Sequence, residues 1–195
     1  MANNSSLVID RLCDQARGKN AAVVGLYCDF LSQQEQSTIN VLGAILKQLA
    51  NRGDIPEHIQ EAFQKAKEEF GGRGLRLPDM VQILKKTIAS LQRIFVCIDA
   101  LDELALKHRR ELLESLREIA QGSPNVRIFL TGRPHIHDEI VECFSKAVKI
   151  PISPTQDDIK SYLMMRLKGD TTPKAMDDEL WADIMRVIPE KISEM

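Results

Sequence analysis

Hydrophobic and polar positions along this chain alternate between two periods. Leu42, Ile45, Leu46 and Leu49 recur at i, i+3, i+4 and i+7, which predicts a helix over 38–51 with Gly53 beyond its end. Val81, Leu84, Ile88 and Leu91 continue one apolar stripe after Pro78, whose fixed φ suits a first helical turn. Helices are also expected over 7–17, 56–70 and 107–120; the second carries Glu61, Lys65, Lys67, Glu68 and Glu69 and reads as a solvated surface element. Between the helices lie short apolar runs at 21–30, 93–98 and 125–131. Runs so short and so apolar read as strands buried on both faces, as in a parallel sheet covered by helices. A short strand at 147–150 closes the alternation. Beyond it the pattern is helical only. One helix is expected over 157–168, with Thr155 and Asp158 as a capping pair. Another is expected over 177–188, where Leu180, Trp181, Ile184 and Ile188 form a stripe assigned to the core. The order predicts an α/β fold with a doubly wound, mostly parallel sheet over 1–153, and the start of a helical domain over 154–195.

Composition narrows the function classes. The 195 residues are 44% hydrophobic and 28% charged, with a net charge of −2, as in ordinary globular proteins. A charge so near zero supplies no field to draw in nucleic acid or an anionic membrane, and 5% aromatics make base-stacking platforms scarce. The apolar runs fall far short of the ~20 residues a membrane span needs. The first residues have neither a basic start nor an uninterrupted apolar stretch, so no signal peptide is expected. Cys13, Cys28, Cys97 and Cys143 lack metal-like spacing, and two lie in strand-like runs, which suggests buried thiols in a reducing, cytoplasmic setting.

The chemistry is concentrated where the 93–98 run stops, at Asp99-Ala-Leu-Asp102-Glu103. Ligands of parallel α/β sheets bind beyond the carboxyl ends of the strands. A carboxylate there can hold Mg²⁺ through its waters, and a second can polarise an attacking water. The plain alternative is an acidic turn capping the next helix. Three other features read as structural. Gly71-Gly-Arg-Gly74 joins two helices and is a turn, Gly18-Lys19-Asn20 precedes a strand, and His135-Ile-His137 with Asp138 has no second cluster to complete a metal site.

Three segments, 23–30, 95–103 and 128–135 (IFLTGRPH), together resemble the NACHT domain of signal-transducing STAND-class P-loop NTPases. The resemblance is nearest to the fungal, NLR-like versions found ahead of ankyrin or WD repeats, and the helix from Asp157 is similar to the family's entry into its helical domain. It implies that the acidic strand end is a Walker B element. In that role Asp99 orients Mg²⁺ through water, Asp102 or Glu103 stands near the attacking water, and Arg133 reads the terminal phosphate. A planar guanidinium fork matches phosphate oxygens, so the last role is physically sound. The resemblance also implies ATP or GTP as ligand, a possible homo-oligomer, and effector and repeat domains in full-length relatives.

One departure qualifies that reading. The family's glycine-rich loop ending in GK[ST] wraps the phosphates with backbone N–H groups, and no such loop occurs in these residues. The chain looks like a family domain cut at both ends, its sheet lacking the first, central strand; a three-strand sheet of 23–27, 95–98 and 128–130 is then expected, with the 147–150 strand either shifted against it or poorly held. Nucleotide binding is then expected to be weak or absent, and the role that of a signalling or assembly domain not catalytically competent alone. A working ATP or GTP hydrolase would need the loop. An unrelated Mg²⁺-dependent phosphohydrolase would need ligands at other strand ends, where only Asp29 stands.

Overall fold

The computed structural model describes residues 4–51, 55–69, 74–169 and 177–193. It divides into two compact units, 1–147 and 148–195. The first is built on three parallel strands, β1 (Ala21–Tyr27), β2 (Arg93–Asp99) and β3 (Val126–Leu130), in the order β1-β2-β3. Val24, Val96 and Ile128 lie side by side across the sheet. The α/β class and the parallel pairing follow the sequence expectation, and among the described residues it is the 93–99 run that lies at the centre of the sheet.

Helices cover both faces. Helix α1 (Asn4–Ala16) packs on β1 and β2, with Ile9 against Gly25. Ala22 and Val24 join the opposite core, formed with α2 (Thr38–Ala50), α4 (Leu77–Ala89) and α5 (Leu106–Gly122). Leu42, Ile45, Leu84, Ile88, Leu112 and Leu116 are the buried stripes of those helices. Helix α3 (Glu57–Glu69) contributes Ile59 and Ala66 to the interior and exposes its charged side, as expected. The outer edge of β1 is capped at one residue by a side chain: the Gln48 amide donates to the Gly25 carbonyl at 2.9 Å and accepts from the Gly25 N–H at 3.1 Å.

Three expectations are corrected. The first strand stops at Tyr27, because Asp29 accepts from the Leu31 N–H and caps a 3₁₀ turn over Phe30–Ser32. No strand forms at 147–150; the segment has no ladder partner among the described residues, and Val148 is 86% exposed. The chain instead forms a short helix, α6 (His137–Cys143), ahead of it. In the second unit α7 (Gln156–Lys168) has a complete capping box between Thr155 and Asp158 and packs on α8 (Asp178–Ser193). Leu180 and Ile188 are exposed on α8, because a two-helix unit has too little interior to bury the whole stripe. Gly53 and residues 71–73 lie outside the described residues. No described helix is long and apolar enough to cross a membrane.

Candidate functional site at the carboxyl end of the sheet

Asp99 is the last residue of β2 and is buried. Directly after it Ala100 takes a left-handed conformation (φ 53°, ψ 45°), which an L-residue adopts only at a cost. The bend turns the Ala100 N–H onto the Thr131 hydroxyl oxygen at 3.0 Å, while that hydroxyl donates to the Asp99 carboxylate. The Leu101 N–H donates to the Thr131 carbonyl at 2.9 Å, and the fully buried Leu101 side chain anchors the turn in the core. The ends of β2 and β3 are thereby locked together.

The 3₁₀ turn over Leu101–Glu103 then aims its two acids at the chain leaving β3. Asp102, with a side chain only 4% exposed, accepts from the Arg133 N–H at 3.1 Å and faces the Arg133 Nε at 3.4 Å. Glu103 meets the other end of the same guanidinium at 3.2 Å. Arg133 is 71% exposed, so it bridges both acids while staying in contact with solvent. Gly132 permits this approach: a Cβ there would stand 2.5 Å from the Ile136 Cδ1 and 3.3 Å from the Asp102 Oδ1.

The turn after β1 borders the cluster. The Cys28 N–H donates to the Asp99 carbonyl at 3.0 Å, and the Gln33 amide donates to the Glu103 carbonyl at 2.6 Å. Burial, followed by the charges of Asp99, Asp102 and Glu103, pushes the Cys28 thiol up to about 12.

All four residues singled out in the sequence therefore meet at one rim. Asp102, Glu103 and Arg133 are in direct contact, and Asp99 is joined to them through Thr131 and the turn. Among the described residues no group of three or more His, Cys, Asp or Glu side chains could hold a metal ion, and His135 and His137 assemble nothing. A donor set of one buried carboxylate suits a cation that takes most of its ligands from water and phosphate, as Mg²⁺ does. The parts that Thr131, Gln33 and Cys28 play at the rim were not foreseen, nor was that of Arg109. Arg109 donates to the Leu104 carbonyl at 3.1 Å and the Asp102 carbonyl at 3.4 Å, and its trace in the sequence is its spacing with Leu112, Leu113 and Leu116 on α5.

No curated protein matches the chain. The Walker-type ATPase PABY2304 of Pyrococcus abyssi aligns in structure over 100% of this chain and 61% of its own, at 13% identity and a TM-score of 0.41. The family model "Nephrocystin 3, N-terminal" matches residues 4–133, a span that begins in α1 and closes on Arg133. With both strand ends and every residue of the acidic rim inside that match, the chain belongs to the Nephrocystin 3 N-terminal family.

Proposed function

We propose that the chain is a NACHT-like nucleotide-reading domain that works in signalling or assembly. The observation that carries this is the rim itself: a buried carboxylate at the end of the central parallel strand, beside an arginine shared by two further acids. Asp99 would orient Mg²⁺ through its waters, and the ion would supply charge neutralisation at the phosphates. Arg133 is the group suited to the terminal phosphate. In moving to a phosphate it would exchange one anionic partner for another, releasing Glu103 to accept a proton from water. Asp102, more deeply buried and bonded to the Arg133 N–H, would keep the turn in place. On the same reading the domain is cytoplasmic, self-associates through this unit, and has its effector and sensor regions elsewhere.

These residues include no GK[ST] loop, so the rim must hold a triphosphate without a lysine or a cradle of N–H groups. We therefore expect ATP affinity no tighter than about millimolar, which corresponds to about −4 kcal/mol. The test is a titration of the labelled chain with ATP and GTP, with and without Mg²⁺, followed by backbone NMR. Mg²⁺-dependent shifts should appear at Thr131, Gly132 and Arg133, and Asp99→Asn should remove the Mg²⁺ dependence. Micromolar affinity would refute the weak-binding claim. Unmoved rim signals at about 20 mM nucleotide, far above a millimolar Kd, would refute nucleotide reading by this chain.

A further inference from the structure

Arg109 is a charged side chain placed where the sequence pattern calls for leucine. It lies in the first turns of α5, in register with Leu112, Leu113 and Leu116, and its side chain is 9% exposed. A guanidinium in such a place must have its donors satisfied. Nε and Nη2 donate to the two oxygens of Glu139 on α6 at 3.0 and 2.8 Å, the bidentate arrangement that suits a planar fork. Nη1 turns the other way and donates to the Leu104 carbonyl at 3.1 Å and, more weakly, to the Asp102 carbonyl at 3.4 Å.

Those two carbonyls belong to the turn that carries the acids. The turn is consequently held twice by the segment that follows β3. Arg133 grips the side chains of Asp102 and Glu103 from outside, and Glu139 grips the backbone from inside, through Arg109.

We infer that Arg109 is a positioning residue of the acidic rim: paired with Glu139, it fixes the Asp102–Leu104 backbone and hence the direction in which both acids face Arg133. The inference rests on the nucleotide-reading proposal for its purpose, though its geometry stands apart from any ligand. A pair that served only stability would be replaceable by an apolar pair of similar volume with no local consequence, since buried ion pairs often are. Arg109 also satisfies two carbonyls, which no apolar replacement does.

Amide hydrogen exchange separates these cases. The Glu103 and Leu104 N–H groups close the turn onto the Ala100 and Leu101 carbonyls, and the β2 amides report the core. Uniform destabilisation lowers protection everywhere by one factor, whereas a loosened turn lowers it locally. In the R109M/E139L variant we expect protection at Glu103 and Leu104 to fall by about tenfold or more while β2 amides keep theirs. R109K should behave likewise, because an ammonium cannot bridge a carboxylate and two carbonyls as the fork does. It retains the charge and serves should the double variant not fold. Retained protection at Glu103 and Leu104, or an equal fall across turn and strand, would overturn the assignment. Exchange is read without nucleotide, so this result and the Mg²⁺–ATP shifts at Arg133 can fail independently.

Discussion

Cys28 is a thiol placed where its own ionisation is opposed. Its pKa, pushed up to about 12 by burial and by the three rim carboxylates, leaves about one molecule in ten thousand as thiolate at pH 8. Cys97, raised to about 11 mainly by burial, is similarly silent, and burial raises Cys143 as well. Cys13 is exposed on α1. An aromatic disulfide reagent at pH 8 should therefore find one fast thiol in the native chain and four after denaturation. Rapid labelling of Cys28 in the folded protein would mean that burial and the neighbouring acids do not hold it protonated. Arg133 was singled out only by the family resemblance, whereas Asp99, Asp102 and Glu103 were legible in the sequence because a strand end followed by acids is a local pattern. Gln33 was not, since its partner Glu103 lies seventy positions away, and Thr131 reaches Asp99 across thirty-two. A side chain that serves the site by crossing between loops leaves no periodic trace.

Among elements, the junction of α5 with α6 carries the clearest pH signature. The hydrogen bond from Arg109, more than any other cause, holds the Glu139 carboxyl below its usual range, with Arg110 and His135 acting in the same direction and burial opposing them. A carboxyl whose pKa is lower in the folded than in the unfolded chain adds stability above its unfolded value, near 4.3, and loses it as pH falls through the folded one. Thermal midpoints should fall as the solution is acidified below about pH 4.5, and Glu139→Gln should flatten that part of the curve. An unchanged acid limb in Glu139→Gln would show that the pair does not form in solution. The helices themselves were readable, because the 3.6-residue stripes on α2 and α4 coincide with their buried faces. Residues 147–150 misled because an apolar run becomes a strand only beside another strand, and no run of sequence states who its neighbour is.

At the scale of the molecule the two edges of the sheet differ, since β1 is capped at Gly25 by a side chain. Strand β3 is paired with β2 and has no second neighbour among the described residues, and the segment after Ala147 exposes Val148, Ile150 and Ile152. Unpaired edges and exposed alternating apolar positions favour contact between copies. Sedimentation should show mean mass rising with protein concentration, and replacing Val148, Ile150 and Ile152 with serine should weaken that rise without altering β2 exchange. A monomer at all concentrations, unfolding cooperatively with ordinary stability of about 5–15 kcal/mol, would show these features to be harmless. The parallel pairing was legible in the alternation of short apolar runs with helices. Whether the last apolar run would dock could not be read, since docking depends on a partner that the run does not encode.

The Gln48 amide on Gly25 gives this asymmetry a further meaning. By occupying both hydrogen-bonding groups of Gly25, it serves there as a one-residue substitute for a neighbouring strand and interrupts the ladder that another strand would need along β1. Units that bond through a single edge satisfy one another in pairs, whereas a fibre requires every member to bond on two sides. For contacts made sheet to sheet, the cap on Gly25 therefore disfavours the β1 edge relative to β3, and pairing through one edge favours a closed pair over a ribbon.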